Sequence, residues 1–154
     1  MDRKVEQILT WFPLLATDKD FAITSPATRQ YNCIAWALGS KSMWAWPAEP
    51  DARESDMLWD NSIGYDESIE TFVSFFQNIG FTKSEDQSIE SGDEIVALYE
   101  KDGLCTHATR LLPTGIWTSK LGPYHDIQHG APSSLEGTIY GKVYCYMKKK
   151  RVDE

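Results

Sequence analysis

The apolar residues of this 154-residue chain change their spacing once, and that change limits the folds open to it. Before Gly80 they recur at helical intervals. Val5, Ile8, Leu9 and Phe12 fall at i, i+3, i+4 and i+7, and Pro13 ends the stripe. Ile69, Phe72, Val73, Phe76 and Ile79 repeat the pattern over about 66–79, a long helix opened by Asp66 and closed by Gly80. After Gly92 the residues alternate instead. "EIVALY", "LCTHATRLL", "IWTSK" and "GTIYGKVYCYMKK" read as strands, with turn signals at "EKDG" and "PTG". In the last run Val143, Cys145 and Met147 are expected on one face, Tyr144 and Tyr146 on the other. Helices followed by an antiparallel meander over about 94–147 is the α+β pattern.

The stretch between the first and second stripes carries the chemistry. "DFAITSPATRQ" reads as extended, with Pro26 keeping the residue before it out of helical space. "NCIAWALG" reads as a short buried helix over about 32–39, with Asn32 as N-cap and Gly39 after its end. Residues 40–64 are Trp-rich, Pro-interrupted and without periodicity, and are expected to form one long loop. The whole chain, 1–154, is read as one domain, and it contains no internal repeat.

The net charge of −8 argues against nucleic acid, which demands a basic face. The only basic run, Lys148 to Arg151, reads as a solvated tail. No apolar stretch approaches the roughly 18 residues of a membrane span, and the N-terminus shows no apolar run with a small-residue cleavage site. Three scattered cysteines make neither a disulfide framework nor a CxxC knuckle and fit a reducing compartment. The expectation is a cytoplasmic protein.

Cys33 opens the short helix. A thiol there meets unpaired backbone N–H groups and the positive end of the helix dipole, which favour thiolate. The same N–H groups suit the oxyanion of acyl transfer. An imidazole completes such a site as base and acid, and His107, in mid-strand, is the candidate. Ser119, Asp126 or His129 are candidates to fix its tautomer, because the "PTG" hairpin brings Ser119 to Leu121 roughly opposite Ala108 and His107. Gln30 and Asn32 are candidates to help hold the oxyanion, and Trp44, Trp46 and Trp59 to line the substrate cleft. Each has a plainer reading. A free cysteine is most often packing, His107 alone a structural histidine, and the tryptophans core or loop anchors. Cys105, expected on the same strand face as His107, is a rival nucleophile without a helix to activate it. His125 and His129 stand at i and i+4, but Gly122, Pro123 and Gly130 oppose a helix there and no third ligand stands out, so neither metal nor cofactor is expected.

The order of Cys33, "GDEIVALY" from Gly92, His107 and a hairpin reaching Ser119 resembles the NlpC/P60 and CHAP branch of papain-like cysteine hydrolases. The resemblance covers roughly residues 28–121. The chain also resembles an uncharacterised bacterial family with "YNCIAWA", "GDEIVALY", "THA" and "WTSKLG" in that order. A papain-like fold is implied, with Cys33 as nucleophile and His107 as base, cleaving an amide in a peptidoglycan peptide, a protein or a small molecule. That branch often has His where this chain has Ser119, and the Trp-rich insert is unlike a minimal member. Two other readings stand beside it. One is a non-catalytic protein-binding module on the same fold, its acidic surface suited to a basic partner. The other is a toxin or effector delivered to another cell.

Overall fold

The structure, a computed structural model, describes residues 3–25, 33–37, 44–45, 57–58, 66–84, 93–112, 114–121 and 125–150. Helix α1 spans Arg3–Trp11. Its stripe lies as the spacing requires, with Ile8 and Phe12 buried and Val5 and Leu9 half-buried. Pro13 ends it and opens a 3-10 turn, Pro13–Thr17, that buries Leu15. Strand β1, Ala22–Ser25, occupies the segment read as extended. Helix α2, Cys33–Ala37, buries Cys33, Ile34 and Ala37. Two very short strands, β2 (Trp44–Ala45) and β3 (Met57–Leu58), pair in parallel inside the stretch expected to be one loop. Two residues are too few to show alternation, so periodicity passes over them.

Helix α3 spans Ile69–Asn78 and begins later than its stripe suggested. The cap explains the difference. Ser68 Oγ accepts from the Thr71 amide at 3.3 Å, while Asp66 Oδ1 accepts from the Ser68 amide at 3.0 Å and the Thr71 hydroxyl at 2.6 Å. Asp66 therefore organises the turn before the helix and stays outside it. At the far end Gly80 sits at φ +106°, the left-handed conformation that closes a helix without steric cost.

The remaining strands are β4 (Thr82–Ser84), β5 (Asp93–Lys101), β6 (Leu104–Leu111), β7 (Trp117–Lys120), β8 (Asp126–His129) and β9 (Lys142–Lys150), with a second 3-10 turn, Pro132–Leu135, before β9. Seven strands form one antiparallel sheet in the order β1-β8-β7-β6-β5-β9-β4. Strands β5, β6 and β7 are the expected start of the meander, and β8, which the sequence reading did not name, continues it. Strand β9 departs from it by crossing back to the other side of β5. The reason is the burial of β5: Ile95 to Tyr99 are at most 1% exposed, so both of its edges need partners. Asp102 and Gly103 join β5 to β6 at φ 55° and 83°, as a type I′ hairpin requires.

Two bulges flank Tyr99. On β6, Tyr99 faces His107 but Glu100 faces Cys105, which makes Thr106 the extra residue. On β9, Leu98 faces Cys145 but Tyr99 faces Val143, which makes Tyr144 the extra residue. A bulge reverses the in-and-out parity beyond it. Cys105 thus lies with Ala108 and not on the face of His107, correcting the expected shared face. Val143 likewise turns away from Cys145 and Met147, which overturns that expected triple.

Each face of the sheet carries its own core. One packs α2 and α3 through Cys33, Ile34, Phe72, Phe76, Leu98 and Met147. The other packs α1 and both 3-10 turns through Ile8, Phe12, Leu15, Tyr99, Ile127 and Leu135. The architecture is α+β. Among the described residues no helix is long and apolar enough to cross a membrane.

Phe76 tests which contacts hold the first core. It is fully buried and meets Phe81 edge-on, ring centroids 5.3 Å apart. Phe76→Ala is expected to cost about 3–5 kcal/mol in urea unfolding, against less than about 0.5 kcal/mol for exposed Ile139→Ala. Equal costs would mean that this core does not carry the fold.

Candidate active site

Helix α2 lies across β6 and β7, and one hydrogen bond fixes how. Trp36 Nε1–H donates to Thr118 Oγ1 at 3.0 Å, and the Arg110 guanidinium lies 5.3 Å from the Trp36 ring centre. That end of α2 therefore sits over the paired residues Arg110 and Thr118. The other end carries Cys33, whose sulfur faces the amide of Ala108 together with the amides of Ile34 and Cys33 itself.

The charge state of Cys33 differs from expectation. Its side chain is 6% exposed, among Ile34, Ala37, Cys105 and Ala108. Burial raises the thiol to about 11, outweighing the three amides and the Lys120 ammonium, which pull it down. The expected resting thiolate is thus corrected to a neutral thiol. A five-residue helix offers the sulfur too little favourable field to offset full desolvation. Burial also holds Cys105 well above the ordinary thiol range, and the neighbouring Cys33 adds to the effect.

His107 belongs to the other face of β6. Its ring stacks on Tyr140 at 4.1 Å and 5°, with Tyr99 at 5.2 Å. It is fully buried, and neither ring nitrogen has a hydrogen-bond partner among the described residues. No hydrogen bond therefore joins it to Cys33. Burial drives its basicity well below the usual imidazole range, and His129 adds to this, leaving the ring neutral. Buried imidazoles without partners are rare in folded proteins, which marks His107 as unusual.

None of the three candidate orienters bonds His107. Ser119 and His129 instead meet each other, with Thr109, in a cluster that sequence reasoning missed. His129 Nδ1–H donates to the Ala131 carbonyl at 2.9 Å, which leaves Nε2 as an acceptor. Thr109 Oγ1 donates to the Thr118 carbonyl at 2.8 Å. The single Ser119 hydroxyl proton is then shared between Thr109 Oγ1 at 2.7 Å and His129 Nε2 at 2.9 Å. All three side chains are fully buried, so the cluster ties β6, β7 and β8 together from inside. Burial lowers His129, against the Ala131 carbonyl and the Asp18 charge. Alternation within β7 placed Ser119 and Trp117 on this face, and that was the available signal.

Asp126 is 3% exposed and pairs across β7 and β8 with Lys120, which is 0% exposed. Lys120 also went unnoticed in the sequence, although a lysine within a four-residue buried strand is uncommon. Gln30, Asn32, Trp46 and Trp59 lie outside the described residues, as does the side chain of Trp44. Among the described residues no three His, Cys, Asp or Glu side chains gather to hold a metal. A hollow of about 400 Å³ elsewhere is lined by Arg3, Lys4, Gln7, Ile8, Trp11 and His125, and includes neither Cys33 nor His107.

Comparison with known proteins places the chain in one family: residues 22–148 match DUF7689, a domain of unknown function, and the chain belongs to it. Searches of curated proteins and of solved structures return no match.

Two measurements follow from these environments. Alkylation of native Cys33 by iodoacetamide, followed by peptide mass, is expected to rise about tenfold per pH unit between pH 8 and 10, because only thiolate reacts. A plateau below pH 8 would show an activated thiol instead. Asp18 supplies the second. Its carboxylate accepts from the Gly130 amide at 2.8 and 2.9 Å and from the Ser134 hydroxyl at 2.5 Å. Burial opposes its ionisation, but these bonds prevail and hold it below its ordinary 3.8. Its contribution is complete above that value and drains as pH falls below it. Asp18→Asn is expected to flatten the loss of stability between about pH 5 and 3, relative to wild type. Identical acid profiles would remove Asp18 from the account.

Proposed function

We propose that this member of the DUF7689 family is a papain-like cysteine hydrolase that cleaves an amide bond, with Cys33 as nucleophile and His107 as base and acid. One observation carries the reading: Cys33 opens helix α2 and packs in one core with Ala108, next in chain to His107. In this reading the backbone amides that open the helix serve the developing oxyanion beside the nucleophile.

The steps are these. The thiol proton passes to the neutral imidazole as sulfur attacks the substrate carbonyl carbon. The carbonyl oxygen takes the negative charge and accepts from the amides. The C–N bond breaks, and the amine leaves with the proton from the imidazolium. Water then attacks the thioester while the imidazole takes its proton. The products are a carboxylic acid and the free thiol. A neutral His107 is in the correct state to begin this sequence. Because the two side chains lie on opposite faces of β6, this reading requires β6 to rearrange beside Thr106 when substrate binds; neither His107 nitrogen is hydrogen-bonded among the described residues, so no hydrogen bond of the ring opposes that change. Resting neutrality of both groups makes the ion pair a product of substrate binding. In this reading Gln30 and Asn32 assist the oxyanion, and Trp44, Trp46 and Trp59 wall the cleft. The substrate is a peptidoglycan peptide, a protein or a small amide. A cytoplasmic setting fits the three free cysteines.

A second reading, a non-catalytic module that binds a basic protein partner, is favoured by one fact: Cys33 and His107 are not hydrogen-bonded at rest. Hydrolysis separates the two. Wild type is expected to release amine from at least one member of a panel of fluorogenic peptide amides and muropeptides, with Cys33→Ala and His107→Ala each reduced at least about a hundredfold. Equal amine release by wild type and Cys33→Ala, or none by either across the panel, would favour the binding module.

A further inference from the structure

The mechanism above leaves one buried charge unused. The β6–β7 pairing joins Arg110 with Thr118 and Leu111 with Trp117, and the Ser119–Thr109 side-chain bond keeps the same count one step further; counted on once more, beyond the paired stretch, Ala108 stands opposite Lys120. Thr118 and Lys120 point to the same face, because they are two residues apart on one strand. Trp36 is bonded to Thr118, and Cys33 packs in one core with Ala108. From Trp36 back to Cys33 is about 4.5 Å of helix rise, and from Thr118 on to Lys120 is about 6.7 Å of strand. On that count the helix and the strand carry Cys33 and Lys120 to within about 2 Å of one level of the sheet. Behind Lys120, on β8, Asp126 is its cross-strand partner. At 0% and 3% exposure, the ammonium and the carboxylate are both out of solvent.

We propose that Lys120 is a positioning residue for Cys33: its ammonium, held in place by Asp126, steadies the negative charge that the sulfur acquires when it gives up its proton. The proposal rests on the reading of Cys33 as nucleophile and adds the group that makes its ionisation tolerable in a buried place. Electrostatics agree with the geometry. Burial lowers Lys120, and Asp126 followed by Cys33 raises it again. A staple between β7 and β8 alone would leave the sulfur indifferent to Lys120. Among the described residues, the other titratable groups in or beside this core are Cys105 from β6, Cys145 from β9 and Tyr140 from the segment before β9, all held protonated by burial. Among the described residues α3 brings to this core only Ile69, Thr71, Phe72, Val73, Phe75 and Phe76, none of which titrates.

The test is a titration of the full chain, with cysteines labelled at ¹³Cβ and Cys33 assigned by its loss in Cys33→Ser. Lys120→Met is expected to raise the Cys33 midpoint, cutting thiolate at pH 9 at least about threefold. Lys120→Arg, which keeps the charge, is expected to stay within about twofold of wild type. A folded Lys120→Met with the wild-type midpoint would overturn the proposal. Should Lys120→Met not fold, the reciprocal measurement decides: Lys120, observed at ¹⁵Nζ, is expected to titrate lower in Cys33→Ser than in wild type, and an unchanged midpoint overturns the proposal. Neither titration depends on turnover. Absent hydrolysis would therefore count against the nucleophile, and an unshifted midpoint against Lys120.

Discussion

Strand β5 is the constraint from which the site follows. It is buried on both faces and paired on both edges, so its neighbours β6 and β9 must satisfy it along its length. Both do so only by inserting one extra residue beside Tyr99, Thr106 on one side and Tyr144 on the other. These insertions decide which side chains share a face. Without the bulge at Thr106, Cys105 would lie beside His107. With it, Cys105 joins Cys33 under the helices, and His107 goes to the aromatic layer with Tyr99 and Tyr140.

How much of this was legible depends on what kind of signal each feature leaves. Helices α1 and α3 and strands β5, β6 and β9 were readable because a stripe or an alternation over many residues outweighs local noise. The turn at Asp102 and Gly103 was readable because only a few residue pairs tolerate positive φ twice in succession. Bulges were not readable. One extra residue leaves composition and spacing nearly unchanged, and its cost is set by the partner strand. Strand β8 was missed because four residues flanked by Gly and Pro look like loop until β1 and β7 pair with them. The return of β9 to the far edge of β5 was hidden for a similar reason: strand order is a property of the whole sheet.

Within the site, Cys33 and His107 were singled out by residue type, and the structure adds the environments that residue type cannot carry. Desolvation leaves both neutral. His129 and Ser119 were candidates to orient His107, but the proton count of their cluster directs them to Thr109 and Ala131. Lys120 escaped notice because a lysine in a sequence reads as solvent-facing, whereas here it is buried on β7 opposite Asp126 of β8. The resulting picture is of a buried sulfur packed against Ala108, with a neutral imidazole on the next residue of β6 facing the other core. In the proposed reading such a site is inert until a substrate carbonyl supplies the oxygen on which charge accumulates.

Trapping the covalent intermediate tests that picture most directly. The protein would be incubated with a peptide thioester as acyl donor, quenched in acid and digested, and the added acyl mass located by tandem mass spectrometry. The account predicts one acyl group, on Cys33, removable by hydroxylamine as a thioester must be. Acylation of Cys105 instead, or a chain that never carries the acyl mass, would contradict it.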